Sequence, residues 1–540
     1  MRKFRGNPWA VLLVVSLGFF MTLLDLTIVN IAIPNMIALL HASLDDILWV
    51  INAYALVLAV LLITAGRLGD IVGQRTMFTA GIVIFTAASA ACGLAPGPGW
   101  LIAFRAIQGL GAAVLMPQTL AIITMVFPPE RRGAAFGVWG GVAGVATIAG
   151  PTLGGLLVTA FDWRYIFFIN LPIGVAVVFL ATILIPDLHT HRKHSLDIAG
   201  VLLASAALLA ICYGLVEGQR YNWGTITSFI SIPLMIGFGI LLLGIFLLVQ
   251  ARRQDREPLV PFALFRNRNF SLMNWVAATL TIAMMGIFLP LTIYLQSVLG
   301  FSALKAGLAL APASLVSMFI APMAGRLTDR IGGKYILVTG LALFGTGMGW
   351  IALSAQTSSS ALDFLAPLIV AGFGMGCIFA PLSTVAMQDV QPQVAGAASG
   401  MLNTTRQVGA VIGTAAVGGL LQNRLAAGWN SQAQLRTRAL PEPVRAAVVS
   451  GFRHATSRGS GPGAGSGFRP QPGTPPALVK QIEAVYHAVF THGFVTALRP
   501  TMLMPIAVLA VAALSCLALR AGKPASPPVA TESAKTPSRA

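Results

Sequence analysis

Hydrophobic positions in this chain do not alternate at the period of a surface helix or strand; they run in blocks. Apolar stretches of span length begin near Pro8, Ile47, Thr76, Trp100, Ala134, Tyr165, Leu196, Thr227, Phe270, Ala303, Tyr335, Leu362, Ala395 and Ala497, separated by short polar or glycine-rich turns. The pattern predicts about fourteen helices long enough to cross a bilayer. One charged turn occurs twice between such blocks, as Gly66-Arg67-Leu68-Gly69-Asp70-Ile71-Val72-Gly73-Gln74-Arg75 and as Gly325-Arg326-Leu327-Thr328-Asp329-Arg330-Ile331-Gly332-Gly333-Lys334. The copies lie roughly 260 positions apart, which predicts two related membrane halves in tandem, an arrangement typical of transporters.

Composition agrees with a membrane class, since 56% of the 540 residues are hydrophobic and only 10% are charged. An even number of spans puts both termini on one side of the membrane. Alternate short loops hold Arg2, Lys3 and Arg5, then Arg67 and Arg75, Arg131 and Arg132, Arg192 and Lys193, a cluster from Arg252 to Arg268, Arg326, Arg330 and Lys334, and finally Arg520 and Lys523. The opposite short loops hold little beyond Arg164, Arg220 and Lys305. That bias predicts cytoplasmic N- and C-termini, and it accounts for much of the net charge of +18 without invoking nucleic acid.

The expected organisation is an N-terminal six-helix half at 1–195, two linker spans at 196–250, five helices of a second half at 251–422, a long extracytoplasmic loop at 423–496, a last span at 497–520 and a disordered cytoplasmic tail at 521–540. The long loop is rich in Gly, Ser and Pro, which bury too little apolar area to offset ordering entropy. Within it Val479, Ile482, Val485, Tyr486, Val489 and Phe490 recur at helical spacing, predicting an amphipathic helix on the outer membrane face. The N-terminal apolar run passes through Asp25 to Pro34 without a small-residue cleavage site and reads as an uncleaved span.

Cys92, Cys212, Cys377 and Cys516 are isolated, and no metal-ligand spacing, nucleophile elbow or phosphate-binding glycine loop occurs. The sequence therefore implies no enzyme, no cofactor and no metal, and an ion gradient or a separate subunit must supply energy.

Several segments resemble one family. The charged turns resemble the signature loops of the major facilitator superfamily. Leu24-Asp25-Leu26-Thr27-Ile28-Val29-Asn30-Ile31-Ala32-Ile33-Pro34 is similar to the first-span motif of its fourteen-span drug:proton antiporters, the QacA/EmrB type. Arg105-Ala106-Ile107-Gln108-Gly109-Leu110-Gly111 resembles the fourth-span arginine motif, and Gly150-Pro151-Thr152-Leu153-Gly154-Gly155 the end of the fifth-span antiporter motif. Trp163 to Pro172 is similar to the start of the sixth span, and Arg406-Gln407 to part of the thirteenth. The resemblance covers roughly residues 8–422 and the last span. It implies an all-α major facilitator fold of 6 + 2 + 6 helices that works by alternating access.

Each motif also has a physical reading. A carboxylate such as Asp25 inside a span costs on the order of 3 kcal/mol unless it is paired, hydrated or protonated, which suits a proton carrier. Helix geometry places Arg105 at a similar depth, so the two are expected to pair, directly or through water, with Gln108 on nearly the same face. The resemblance implies that the first and fourth spans both border the central cavity; the alternative is that Arg105 snorkels outward. Asp70 at a helix end can accept backbone N–H groups, meet a neighbouring positive helix terminus and pair with Arg67 or Arg75, making a conformational latch, with Asp329 as the second copy. Gly137, Gly140, Gly141, Gly144, Gly150, Gly154 and Gly155 strip the fifth span for close approach, and Pro151 favours a kink; the ending at Gly150, Pro151, Gly154 and Gly155 implies an antiporter gate by resemblance.

Asn30, Trp49, Asn52, Tyr54, Gln108, Gln296 and Arg406 are candidate substrate contacts, with Met284, Met285, Phe288 and Tyr294 as adaptable surface that packing alone also explains. Glu217 and Arg220 are expected at the interface. The expected function is proton-coupled export of amphipathic drugs or antibiotics through the cytoplasmic (inner) membrane, with small amphipathic substrates, protons and the lipid bilayer as partners. A proton-coupled solute symporter and a dedicated exporter of one endogenous metabolite remain open, as does a multispan sensor. A periplasmic adaptor and outer-membrane channel are compatible with the chain but not indicated by it.

Overall fold

A computed structural model describes residues 7–186, 197–254, 258–439 and 476–520, apart from 41, 43, 219, 222 and 228, together with 445, 450 and 452. The chain folds into long helices: α1 (Pro8–Leu40), α2 (Leu44–Val72), α3 (Gln74–Gly93), α4 (Pro98–Val126), α5 (Arg132–Ala160), α6 (Asn170–Leu184), α7 (Ile198–Glu217), α8 (Ile232–Arg252), α9 (Arg268–Ile293), α10 (Ala303–Ile331), α11 (Lys334–Ser354), α12 (Leu365–Met387), α13 (Ala395–Arg436) and α14 (Pro476–Cys516). A single turn at Tyr165–Phe168 leads into α6. Among the described residues, twelve segments are long and apolar enough to cross a membrane, rather than the fourteen expected. The other two long helices are α5, 29 residues long and rich in glycine, and α13, which carries Asn403, Thr404, Thr405, Arg406 and Gln407. Both pack on helices of the opposite half, α5 along α10 and α13 along α2, so neither has to be apolar all round.

The two charged turns share one backbone device. Gly73 and Gly332 stand at the same place in each copy and adopt φ of +103° and +83°, a region that L side chains avoid, so the chain can turn sharply from one helix into the next. The α5–α10 seam is closest near these turns: Gly133 lies against Gly325, Gly137 against Ala321 and Pro322, Gly141 against Met318 and Gly144 against Ser314. By Gly155 the nearest opposing side-chain atom, on Leu304, is 3.8 Å from where a Cβ would stand. α5 remains helical through Pro151.

α7 and α8 pair with each other, Gly214 meeting Ile236 and Gly239 meeting Ile211, and rest on α2 through Ala204, Leu208, Val60 and Ile63. Asp197 ties their ends, capping Gly200 and accepting from Gln250 at 2.6 Å and Arg253 at 2.7 Å. The outer face of α8, with Leu234, Phe238, Leu241 and Leu248, is exposed and apolar, as a lipid-facing helix requires. Glu217 and Arg220 form an ion pair at 3.2 Å where α7 ends.

α13 and α14 contain 42 and 41 residues, roughly 60 Å each at 1.5 Å per residue and about twice the hydrocarbon thickness. Their overhangs pack on each other. Gly428 meets Gly493, Trp429 stacks on Phe490 with centroids 5.5 Å apart, and Phe452 stacks on Tyr486 at 4.3 Å. The helix expected to lie on the membrane face is thus a continuation of α14, with Ile482, Tyr486, Val489 and Phe490 in the protein core. The expected boundaries at 423 and 496 fall inside continuous helices, because the apolar stripe found a protein partner. The Gly/Ser/Pro-rich stretch at 453–475 and the tail at 521–540 lie outside the described residues.

Candidate functional site

Each charged turn caps a helix of the other half. Asp70 Oδ1 and Oδ2 each accept a backbone N–H, from Gly396 and Ala397 respectively, both at 2.8 Å, at the start of α13. Asp329 does the same for Gly133 at 2.8 Å and Ala134 at 3.0 Å, at the start of α5. A carboxylate held by paired N–H groups at a positive helix terminus is a charge-assisted contact, stronger than a neutral hydrogen bond. Gln74 adds a bond to Asp70 at 3.1 Å. Arg67 is buried three residues before Asp70. Arg75 does not join them; its guanidinium donates to the Thr182 carbonyl of α6 at 2.5 Å, so the expected Asp70–Arg75 pairing is replaced by a tie within the first half.

The second cluster lies within the first half. Arg105 Nη1 is 2.5 Å from Asp25 Oδ2 and 2.8 Å from Gln108 Oε1, while Gln108 Nε2 donates to Asp25 Oδ1 at 2.9 Å. Arg105 Nε donates to the Val50 carbonyl at 3.1 Å, and its guanidinium lies 4.4 Å from the Tyr54 ring centre. Asp25, Gln108 and Tyr54 are 0% exposed and Arg105 is 1%. The cluster is therefore sealed among α1, α2 and α4 and closed to solvent. Arg105 does not snorkel. Its charge is matched by one carboxylate, two oxygens and an aromatic face, the full set a buried ion pair needs.

α1 connects this cluster to α5. Two residues after Asp25, Thr27 Oγ1 donates to the Leu24 carbonyl at 3.0 Å and lies 3.4 Å from the Ala146 carbonyl of α5, and its side chain presses on Gly150, where any Cβ would collide with it. Gly150 therefore packs on α1, while Gly155 faces Leu304 of α10. Gly154 is buried, and of Pro151 only its helical backbone is described.

The remaining candidates disperse. Tyr54 belongs to the Arg105 cluster. Trp49 is tilted against Tyr213 of α7, 5.7 Å between centroids. Asn30 is exposed, its amide turned back onto the Leu26 carbonyl. Asn52 is half-buried and Gln296 exposed beyond α9. Tyr294 is a core residue whose hydroxyl donates to the Gln356 carbonyl at 2.5 Å. Met284 and Phe288 pack on the main core. Arg406 is half-buried beside Ser383 and Phe379 of α12.

One functional candidate was hidden among the loop charges. Arg132, mostly buried, donates to the carbonyls of Thr124 (2.8 Å) and Phe127 (3.3 Å) at the end of α4, and of Met387 (3.4 Å) and Gln388 (3.3 Å) at the end of α12. A cation bridging two helix C-termini, one from each half, complements both dipoles at once. Its adjacency to Gly133, which Asp329 caps, makes this a two-sided clamp.

A model of the Major Facilitator Superfamily matches residues 15–414, and the chain belongs to that family. It is 35% identical to the tetracenomycin C resistance and export protein of Streptomyces glaucescens, over 78% of this chain and 77% of that one. It is 33% identical to the multidrug resistance protein Stp of Mycobacterium tuberculosis, over 81% and 80% of the respective chains. Its fold resembles that of the human organic anion transporter MFSD10, with TM-score 0.57 and 13% identity, covering 93% of this chain and 99% of the other. The protein is a multi-pass membrane transporter and not an enzyme.

Proposed function

We propose that the chain exports amphipathic drugs or antibiotics across the cytoplasmic membrane in exchange for protons, by alternating access. Its first half, two linker helices and second half form a 6 + 2 + 6 arrangement, with both termini and both charged turns on the cytoplasmic side. The observation that carries this reading is the Asp25–Arg105 contact at 2.5 Å in a site closed to water. Protonating Asp25 removes its charge and leaves Arg105 buried without its counterion, a change on the scale of about 3–5 kcal/mol. That is enough to drive a conformational step, since tenfold in population takes only about 1.4 kcal/mol. α1 would relay the change to α5 through Thr27 and Gly150, and so to the seam. Relatives named for antibiotic resistance and export support the cargo class.

The test is Asp25→Asn in proteoliposomes. We expect pH-driven efflux to be lost while substrate equilibration down its own gradient persists. Undiminished pH-driven efflux would overturn the carrier role. A dedicated exporter of one metabolite is the second reading, favoured by the relative named for a single compound.

A further inference from the structure

Arg406 is the one intramembrane arginine whose charge the fold leaves unanswered among the described residues. It lies eleven residues after Ala395 (406 minus 395), about 16 Å along α13, deeper than an arginine side chain can span to reach water at the helix start. Its only hydrogen bond is a long one, Nη2 to Ser383 Oγ at 3.4 Å, and Nε finds no acceptor. The Phe379 ring is 5.9 Å away. Among the described residues no carboxylate is at hand. Asp329 caps α5, Asp363 caps Ser360, Asp389 accepts from Asn267, and Glu483 lies in the overhang of α14. Arg105, by contrast, meets a carboxylate, an amide, a carbonyl and a ring.

Position argues for a ligand rather than a packing role. The Cβ of Phe379 abuts Gly140 of α5, so the Arg406 guanidinium, 5.9 Å from the Phe379 ring, stands one side chain away from the seam between halves that alternating access would open. A planar guanidinium with free N–H groups recognises carboxylate or sulfonate through paired hydrogen bonds, and the neighbouring aromatic ring offers a face for a flat ring system. We infer that Arg406 is the anion-binding group of the transport path, and that the substrates include planar aromatic anions. The inference rests on the proposed transport reading, whose substrate class it narrows. It also places the ligand's counter-charge in the second half and the proton carrier in the first, so loading of anion and proton would bias different halves.

The test uses the purified full-length protein and two flat fluorophores of opposite charge, fluorescein and ethidium, with binding followed by anisotropy. Wild type is expected to bind fluorescein saturably. R406Q should weaken that binding at least about tenfold, R406K less, and neither should weaken ethidium binding. A normal thermal unfolding profile for each variant shows that the fold is intact; if R406Q unfolds, R406K carries the same comparison. Equal fluorescein affinity in wild type and a folded Arg406 variant overturns the inference, as does absence of saturable fluorescein binding by wild type. Arg406-dependent binding without proton-driven transport in proteoliposomes would count against the export reading and uphold the anion site.

Discussion

The Asp70 carboxylate accepts the Gly396 N–H across the seam at 2.8 Å, and Asp329 accepts the Gly133 N–H at the same 2.8 Å from the other half. The duplicated turn therefore acts reciprocally. Each half lends an anion to the positive end of a helix in its partner, and both caps sit at the end where α5 and α10 approach most closely. Opening that end must break both caps.

Asp70→Asn keeps the shape and removes the charge, and so does Asp329→Asn. Hydrogen bonds to charged groups contribute about 1.5–3 kcal/mol, so each substitution should raise the population open at this end by roughly ten- to a hundredfold. Ser399, buried where its hydroxyl meets the Pro117 carbonyl, is a suitable reporter. With Ser399→Cys in place, labelling by a charged maleimide should accelerate by at least about tenfold in either aspartate variant. Unchanged labelling would mean that the caps stabilise loops and do not latch the halves.

Glycine at the seam is a steric requirement. A Cβ at Gly137 would stand 2.6 Å from the Ala321 carbonyl oxygen and 2.7 Å from Pro322 Cα, both backbone atoms that move only with the whole helix. Gly137→Leu should hold α5 and α10 apart, inserting in the membrane but transporting at least about tenfold more slowly. Gly345→Ala, whose nearest neighbours lie 3.8 Å off, should transport like wild type. Equal rates for the two variants would show that the seam does not need to close.

Much of this arrangement was legible before any coordinates, for reasons that also explain what was not. Span blocks and a repeated charged turn are local patterns, and counting rise per residue was enough to put Asp25 and Arg105 at one level. Contacts such as Asp70 to Gly396 join residues 326 positions apart, and the residues preceding α13 and α5, Val394 and Arg131, are not capping types that would mark those helix starts in sequence. Facing was equally obscure. In a helix apolar all round, no stripe tells which side meets protein, so Trp49 and Asn30 could not be oriented. The helix of Val479 to Phe490 had a stripe, but periodicity cannot distinguish a membrane surface from α13.

Arg132 shows how a charge counted for topology can be structural as well. Replacing it with Gln removes a cation from two helix C-termini and strips most of four carbonyl contacts. The expected loss is about 1–3 kcal/mol, read as a lower unfolding midpoint of the purified protein. Lysine should restore less than half of it, because a single ammonium cannot span both helix ends as a forked guanidinium does. Full rescue by Arg132→Lys would reduce its role to bare charge.

Tyr54 separates ring from hydroxyl at the proton-coupling cluster. The ring lies 4.4 Å from the Arg105 guanidinium in a site without exposure, whereas the hydroxyl has no hydrogen-bond partner among the described residues. A desolvated cation–π contact contributes up to about 2 kcal/mol, and a buried unpaired hydroxyl is unfavourable on its own. Tyr54→Phe should therefore match or exceed wild type in thermal stability and retain pH-driven transport. Tyr54→Leu keeps the apolar bulk but loses the ring face, so its unfolding midpoint should fall and proton-driven transport should drop with it. If instead Phe is as damaging as Leu, the hydroxyl has a task in proton transfer that the ring does not share, and the carrier would be a Tyr54–Asp25 unit rather than Asp25 alone.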